Sequence, residues 1–229
     1  MVAKDGYHHG NLRRALLDES LAVIGDKGVE GLSLREVATR VGVSNAAPYH
    51  HFADKTALLS SLAYEAMDLM DQRMAAAQAE AGADAMEQLL AIGMAYVEFA
   101  VERPDYYAAM TAAELNAPAA QSSAPPPEAG GGDTWQRLLS AVIACQQAGE
   151  LPQGDPVILA VFLWSLVHGL AELWRGGPLQ LMPQAADGLA PMARRVLMSG
   201  LGGMEAVAEQ QVGDAKDAGE TWHPCEKES

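Results

Sequence analysis

The segment 42–55, GVSNAAPYHHFADK, places hydrogen-bonding side chains next to small apolar ones. A serine hydroxyl and free backbone N–H groups at a helix start can bind phosphate, and asparagine can bond phosphate or the edge of adenine. Small apolar side chains can meet the methyl group of thymine. This mixture predicts contacts with double-stranded DNA. The candidate contacts are Ser44, Asn45, Ala46, Pro48, Tyr49, His50 and Lys55.

Metal binding and core packing are the two alternative roles for side chains of this segment. The adjacent histidines His50 and His51 are poor metal ligands as a pair, because neighbours on a helix point about 100° apart. No cysteine or carboxylate cluster accompanies them, so we expect no metal and no cofactor. Tyr49 and Phe52 could instead be core aromatics, and for Phe52 the core is the expected place. No nucleophile–base arrangement stands in the chain, so an enzyme is not indicated.

Two short helices must position these side chains. Ser33 and Glu36 have the spacing of a capping box, and an apolar stripe at helical spacing follows them (Leu34, Val37, Ala38 and Val41). Gly42 can adopt the positive φ that ends this helix, and Ser44 can cap a second helix through about Phe52. The pattern predicts a helix-turn-helix, whose second helix enters the major groove.

Basic side chains flank the motif at places that helix stability does not favour. Lys55 opens the next helix behind its expected cap Asp54, where a cation opposes the helix dipole by roughly 0.3–1 kcal/mol. A phosphate outside the protein would explain this position, and the same reasoning applies to Arg13 and Arg14 in the first turn of the first helix. Ser33 and Arg35 complete the predicted DNA contacts.

The charge is distributed unevenly along a chain whose net charge is −15. Residues 1–60 hold seven basic and seven acidic side chains, whereas residues 61–229 hold 8 basic and 23 acidic ones. The neutral N-terminal part is therefore the region that a polyanion can approach, and the asymmetry indicates two separate roles. The two cysteines, Cys145 and Cys225, form no disulfide framework, so we expect a reducing cytoplasm.

Strand signals are almost absent, and helical spacing runs through the rest of the chain. We predict helices at Lys55–Glu80, at about 84–102, from Pro104, from about 134 to Gly149, at Pro156–Arg175 and at about 190–201. The predicted fold is all-α. Residues 1–54 form a three-helix DNA-binding domain and residues 55–202 a helical ligand-binding and dimerisation bundle. Residues 116–133 are expected to be a flexible loop and residues 203–229 an acidic flexible tail.

The segment PVILAVFLWSLVHGL is apolar nearly all round. Ser165 and His168 interrupt it, and we take it as too short to span a bilayer, so no membrane is expected. A helix that is apolar on every side indicates a second buried face. Either a second copy of the chain covers this face or the helix is central within one subunit. The predicted dimer contacts are Phe162, Leu166, Gly169, Leu170, Leu173 and Val196.

Methionines recur at helical spacing in the larger part and predict an adaptable apolar pocket. Ordinary core packing is the alternative for each of them. His168 lies on one polar line with Ser165 and Glu172, and it either orients a ligand or bonds Glu172 or a carbonyl internally. The predicted ligand contacts are Met67, Met70, Met94, Phe99, Met110, Trp164 and His168.

The stretches YHHGNLRRALLDESL and GLSLREVATRVGVSNAAPYHHFADKTALL, with their spacing, resemble TetR-family transcriptional regulators over about residues 7–62. LVHGLAELW resembles a Trp-His-Gly type of C-terminal domain in part of that family, here with Val167 before His168. Pro48 departs from the bulkier residue of many members, which bears on the operator sequence. The resemblance implies a homodimer that binds operator DNA and a small effector. The alternative is a ligand-binding or interaction protein whose DNA-binding part is inactive, which the neutral charge of that part favours.

Overall fold

The computed structural model describes residues 9–116 and 133–202, with side chains for 12–112 and 133–202. The regular elements in these ranges are all helical, which confirms the all-α prediction. Residues 1–8, residues 117–132 of the predicted loop and the predicted tail lie outside the described residues. The α-helices are α1 His9–Lys27, α2 Leu34–Val41, α3 Lys55–Glu80, α4 Ala85–Glu102, α5 Pro104–Asn116, α6 Thr134–Ala148, α7 Pro156–Arg175 and α8 at 189–202.

Side-chain caps fix several helix starts at the predicted residues. Ser33 accepts the Glu36 N–H at 3.2 Å, and Asp54 accepts the Ala57 N–H at 2.8 Å. Each bond satisfies a backbone donor that has no partner within the helix. The bounds predicted for α3 and α7 are confirmed. In the sequence, Asn11 predicts a cap and a start of α1 at about Leu12, but the helix begins at His9, two residues before Asn11.

The turn after α2 is built as predicted around Gly42. This residue adopts φ 78° and ψ 32°, and its N–H bonds the Ala38 carbonyl at 3.0 Å. A residue with a Cβ is strained at such a positive φ. The N–H of Val43 bonds the same carbonyl at 3.0 Å, so the chain reverses tightly at this corner.

The second helix of the motif differs from the prediction. It is a 3-10 helix over Ala47–His50 preceded by a turn, and Ser44 does not cap it. The N–H of Ala47 bonds the Ser44 carbonyl at 3.0 Å, and that of Tyr49 bonds the Ala46 carbonyl at 3.2 Å. An α-helix from Ser44 would need a donor at Pro48, which has no N–H. The proline therefore restricts this segment to the tighter helix.

The N-terminal head, defined here as α1, α2 and the segment up to Asp54, rests on the larger bundle. Helix α1 packs against α2 and also against α5, while α3 packs against both α4 and α5. Helix α4 additionally contacts α6 and α7. One continuous set of buried apolar side chains runs from the head into the bundle. This packing places α5 between the head and the interior of the bundle.

The sequence argument against a membrane span was wrong on length. Helix α7 has 20 residues with a mean hydropathy of 1.8, which meets the length and composition of a bilayer-crossing helix. Core helices of soluble proteins meet the same two criteria. One face of α7 packs on α4 and α6, and 28% of its apolar 18-residue stretch is buried.

Candidate functional site

The exposed face of the helix-turn-helix carries most of the predicted DNA contacts. Their side chains, none of which is needed for the core, extend from the start of α2 to the end of the 3-10 helix. Tyr49 is the largest of them and is 50% exposed. The exposed predicted contacts are Ser33, Arg35, Ser44, Asn45, Ala46, Tyr49 and His50.

Three other predicted contacts are engaged within the protein. Pro48 is buried, so the expected meeting of its ring with a thymine methyl has no support in this structure. The Lys55 Nζ donates to the Val29 carbonyl at 2.7 Å, which gives this cation an internal reason for its place. The guanidinium of Arg13 lies 5.4 Å from the centre of the Phe52 ring, and Phe52 is core as predicted.

Much of the positive charge in the head is paired internally. Arg40 bonds Glu36 at 3.1 Å, Asp26 at 3.1 Å and Glu19 at 3.2 Å, which ties α2 to α1. Lys27 bonds Glu36 at 2.8 Å. The hydrogen bond from Lys27, and then that from Arg40, holds the pKa of Glu36 below its usual range. These cations therefore hold the head together and contribute less to a surface for polyanions.

Arg35 differs from these paired cations. Its side chain is exposed in the first turn of α2, and it shows no ion pair or hydrogen bond with the described residues. Like Ser33, it is exposed at the start of α2. Arg35 is therefore the basic side chain among the exposed predicted contacts with the clearest access to an external phosphate.

A polar cluster joins the head to the bundle. Arg14 of α1 bonds Asp18 on its own helix and Glu65 of α3 at 2.7 Å. Tyr106 of α5 donates its hydroxyl proton to the same Glu65, and Arg14 reaches the Tyr106 hydroxyl at 3.5 Å. Burial, and then the bond to Glu65, raises the pKa of Tyr106. Sequence reasoning placed Arg14 near DNA, whereas the structure places it at this junction.

The bundle contains a cavity of about 460 Å³, partly open to solvent, between α3, α4, α5, α6, α7 and α8. This volume is within the range of small-molecule sites. The wall contains no charged side chain. Gly93 leaves room at one point, since a Cβ built there would lie 3.2 Å from Leu197 Cδ1. The wall consists of Met67, Met70, Met74, Leu89, Leu90, Ile92, Gly93, Tyr96, Met110, Thr134, Trp135, Leu138, Val161, Leu163, Trp164, Val167, Leu197 and Leu201.

Four of the seven predicted ligand contacts are in this wall: Met67, Met70, Met110 and Trp164. The other three are placed elsewhere. Met94 faces an outer groove that Arg73 and Arg194 also line. Phe99 is packed in the core with 3% exposure, and His168 lies behind the wall. Sequence reasoning missed Trp135, whose signal was a large aromatic in the first turn of α6.

His168 lies inside a cluster of aromatic rings. Its ring centre is 5.4 Å from that of Tyr96, 5.4 Å from that of Trp164 and 5.8 Å from that of Tyr107. Its Nδ1 bonds the Tyr96 hydroxyl, so the internal partner expected at Glu172 or a carbonyl is Tyr96 instead. Burial lowers the pKa of His168 more than Glu172 raises it. The imidazole is therefore held in its neutral form at neutral pH.

Tyr107 connects this cluster to α5. The Tyr107 ring is edge-on to that of Tyr96, with ring centres 6.0 Å apart. The guanidinium of Arg175 lies 4.9 Å from the centre of the Tyr107 ring. Burial is the largest cause that raises the pKa of Tyr107 to about 12. The neighbouring Tyr106 belongs to the polar cluster at the head. Adjacent residues of α5 thus touch the surroundings of the cavity and the DNA-binding part.

An exposed apolar strip runs along α7. Phe162 is 41% exposed and Leu173 is 51% exposed, while Gly169 faces open space. Leu166 and Val196 are partly buried, and a Cβ built at Gly200 of α8 would lie 3.0 Å from Leu166 Cδ2. Leu170 must be removed from the predicted strip, because it is buried in its own subunit with 4% exposure.

Among the side chains of residues 12–112 and 133–202, no group of three or more histidine, cysteine, aspartate or glutamate residues is placed to hold a metal ion. Cys145 is buried, and burial raises the pKa of its thiol to about 11. A thiol that is protonated at neutral pH is a poor nucleophile.

Two family descriptions match the chain. Residues 16–62 match "Bacterial regulatory proteins, tetR family", and residues 89–197 match "Tetracyclin repressor-like, C-terminal domain". Together they cover the helix-turn-helix and most of the cavity wall. The proteins that these descriptions gather are transcriptional regulators, not enzymes.

Individual relatives agree with these matches. The chain is 31% identical to the HTH-type transcriptional regulator BetI of Cronobacter sakazakii over 69% of its own length and 76% of that protein. It is 28% identical to the uncharacterized HTH-type transcriptional regulator YobS of Bacillus subtilis, over 44% of its own length and about half (51%) of YobS.

A solved structure of a protein of unknown function from Rhodococcus sp. RHA1 has the same architecture. Its TM-score is 0.71 at 33% identity, and the match covers 88% of this chain and 99% of the other. The exposed helix-turn-helix, the helical bundle behind it and these relatives lead to one assignment. The chain belongs to the TetR family of DNA-binding transcriptional regulators.

Proposed function

We propose that the protein is a cytoplasmic, homodimeric repressor that binds a palindromic operator and is released from it by a small, largely apolar molecule. One observation carries this proposal. A helix-turn-helix with an exposed polar face and an apolar cavity of about 460 Å³ occur in one chain. The first feature is suited to a DNA groove and the second to a ligand, so one molecule can couple the two.

A structural neighbour supports the pairing of these two ligands. AibR has been solved in complex with isovaleryl coenzyme A and operator DNA, and its fold matches this chain with a TM-score of 0.56 at 20% identity. The match covers 81% of this chain and 95% of AibR. At this identity the likeness shows the fold alone, and the proposal takes from it only that this fold can carry both partners at once.

The exposed strip on α7 supports the dimer. Phe162 and Leu173 would gain from burial, since each leaves two-fifths or more of its side chain in water. A two-fold axis at this strip pairs identical faces of two subunits, which is the commonest symmetry of soluble oligomers. Two heads related by that axis can read the two halves of a palindrome about 34 Å apart.

The contacts of helix α5 support a structural connection through which a ligand in the cavity could affect the DNA-binding head. Tyr107 contacts the rings of Tyr96 and His168 beside the cavity, and Tyr106 contacts Glu65 and Arg14 at the head. A ligand that displaces Tyr96 would move both tyrosines together. Helix α3 would act as the lever, because it starts at the head and lines the cavity with Met67 and Met70. The ligand must bind the two states with different affinity for this to occur.

The second candidate function is a ligand-binding protein whose head no longer binds DNA. The internal pairing of Arg14, Lys27 and Arg40 favours it, because these cations are committed to carboxylates. Under this candidate, the identity of Tyr49 would not affect function. Under the repressor proposal, Tyr49 meets DNA.

The two candidates are separated by DNA affinity. The wild-type protein would first be used to select duplexes from a pool of genomic fragments. The recovered duplexes would be labelled, and the affinity of the protein for them compared with its affinity for scrambled duplexes of equal composition. The repressor proposal predicts tighter binding to the recovered fragment and at least a tenfold loss in Tyr49→Ala. The control is Tyr64→Phe, a change in α3 outside the exposed face. Equal affinity for recovered and scrambled duplexes would support the second candidate.

A further inference from the structure

The chemistry of the cavity wall restricts which molecules can occupy it. Its 18 residues include hydrogen-bonding groups only on Tyr96, Thr134, Trp135 and Trp164. None of them carries a charge at neutral pH. An ion that enters such a cavity loses its water without gaining a counter-charge, and this desolvation opposes binding strongly.

His168, Arg175 and Arg137, on the helices that form the wall, do not supply the missing charge. His168 lies behind Tyr96 and is bonded to it, and its burial keeps the ring neutral. Arg175 stacks on the ring of Tyr107 and bonds Glu172 at 3.1 Å, so its charge is already paired. Arg137 of α6 is bonded to Asp71 of α3 at 2.8 Å. The charged groups around the cavity are thus compensated in pairs outside the wall.

A carboxylate or phosphate that entered the cavity would therefore meet no basic side chain in its wall.

The wall is instead well suited to uncharged apolar surface. Met67, Met70, Met74 and Met110 are flexible and polarisable, so they can adjust to ligand shape. Trp135 and Trp164 meet edge-on, with ring centres 6.4 Å apart, and offer aromatic surface on one side. Trp164 is 40% exposed, which places this pair where the cavity approaches the surface.

Resting on the proposed function, we infer that the effector is an uncharged, predominantly apolar organic molecule without a carboxylate, phosphate or ammonium group. Long-chain alcohols, ketones and esters belong to this class. The bound molecule contacts the methionines along its length, and any hydrogen bond it makes is to a neutral group of the wall.

The test uses three ten-carbon probes that differ only in the head group: 1-decanol, decanoate and decylammonium. Their affinities for the full chain would be measured by isothermal titration calorimetry at pH 7.5, below the concentrations at which they form micelles. We expect 1-decanol to bind at least tenfold more tightly than either ion. Decanoate or decylammonium binding as tightly as 1-decanol would overturn the inference, and so would no binding of 1-decanol.

Two variants locate the binding. Leu138→Phe adds a ring to the cavity wall, and we expect it to weaken 1-decanol binding at least tenfold. Leu181→Phe makes the same change at a side chain that is 87% exposed outside the wall, and should leave the affinity unchanged. Equal effects of the two variants would place the probe elsewhere and contradict the inference.

DNA binding, measured on the same preparation without any probe, separates this inference from the proposed function. If the protein binds the recovered duplex specifically but binds an ionic probe most tightly, the proposed regulatory function is retained and the inferred class of effector is wrong. If no duplex binds specifically, the proposed function fails whatever the probes show.

Discussion

Arg35 is the residue whose charge is most available to DNA in the described part of the head. It is exposed at the start of α2, and the described residues give it no ion pair. A contact between this guanidinium and a phosphate would release about one counterion when the complex forms. The free energy of that contact would depend on salt, unlike a contact to a base edge.

We therefore predict that Arg35→Ala weakens binding of the recovered duplex and makes its logarithmic salt dependence shallower by about two units, because the proposed dimer carries two copies of Arg35. Fluorescence anisotropy at several salt concentrations would measure both. Arg194→Ala is the control, because Arg194 is bonded to Glu87 at 2.6 Å in the bundle. An unchanged slope in Arg35→Ala would show that this side chain does not meet a phosphate.

His168 links stability to pH. Burial lowers its pKa in the folded protein, so the unfolded chain binds a proton more readily. Its contribution to stability is therefore complete above the pKa of the unfolded state, about 6.5, and is lost as pH falls through the lower folded pKa.

We expect the free energy of unfolding of the wild type to fall between pH 7.5 and pH 5, and to fall less steeply in His168→Gln. Urea denaturation at several pH values would measure this. His50→Gln, at an exposed position, should retain the wild-type slope. If His168→Gln showed the wild-type slope as well, the burial of a neutral imidazole would not be the cause.

Single residues also show where sequence reasoning fails. Pro48 was predicted to lie in an α-helix that faces DNA, yet its missing N–H favours a 3-10 helix and its ring is buried. Lys55 was correctly placed at the start of α3, but its partner is the Val29 carbonyl, which is far away in sequence. Local patterns predict that a side chain sits at a helix end, but not which distant group it reaches.

At the scale of elements, α5 carries the contact between head and bundle. The Tyr106 hydroxyl bonds Glu65, and both are near Arg14 of α1. A partly buried hydrogen bond of this kind contributes about 1 kcal/mol net to stability, whereas the exposed ion pair of Arg14 contributes less.

Tyr106→Phe should accordingly lower the free energy of unfolding by about 1 kcal/mol, as measured by urea denaturation. Tyr49→Phe removes a hydroxyl from an exposed ring and should change it by less than about 0.5 kcal/mol. Equal stability of Tyr106→Phe and the wild type would mean that the bond to Glu65 contributes nothing net at this junction.

The helices themselves were largely predictable because their signals are local. An aspartate cap and a glycine or proline at the end give α3 and α7 their bounds in the sequence. The cavity wall was predictable only in part. A methionine that lines the cavity and a phenylalanine in the core have the same helical spacing, so periodicity does not separate Met70 from Phe99.

At the scale of the whole molecule, the proposed dimer rests on the apolar strip on α7. Leu173 is half exposed on this strip, and a charge there would be buried without a partner in the proposed dimer.

We predict that the wild type sediments with twice the 24.2 kDa mass of one chain and that Leu173→Glu sediments as a monomer at the same micromolar concentration. Ile143→Glu is the control, because Ile143 is an exposed apolar residue of α6 outside the strip. A monomeric wild type, or dimers in both variants, would rule out this strip as the interface.

The charge distribution of the whole chain also bears on DNA binding. The net charge of −15 repels a polyanion, and the head that must approach it is close to neutral. Binding must then rest on a few well-placed contacts from two heads at once, which favours a symmetric operator over any single half-site.

The most direct test of the central claim is a selection of genomic fragments by the purified protein near physiological salt, followed by footprinting of the recovered duplex. The account predicts a palindrome with two protected half-sites about one helical turn apart, and loss of protection when an uncharged apolar effector is added. Recovery of fragments without a common palindrome, or protection that no half-site symmetry describes, would contradict a dimeric repressor.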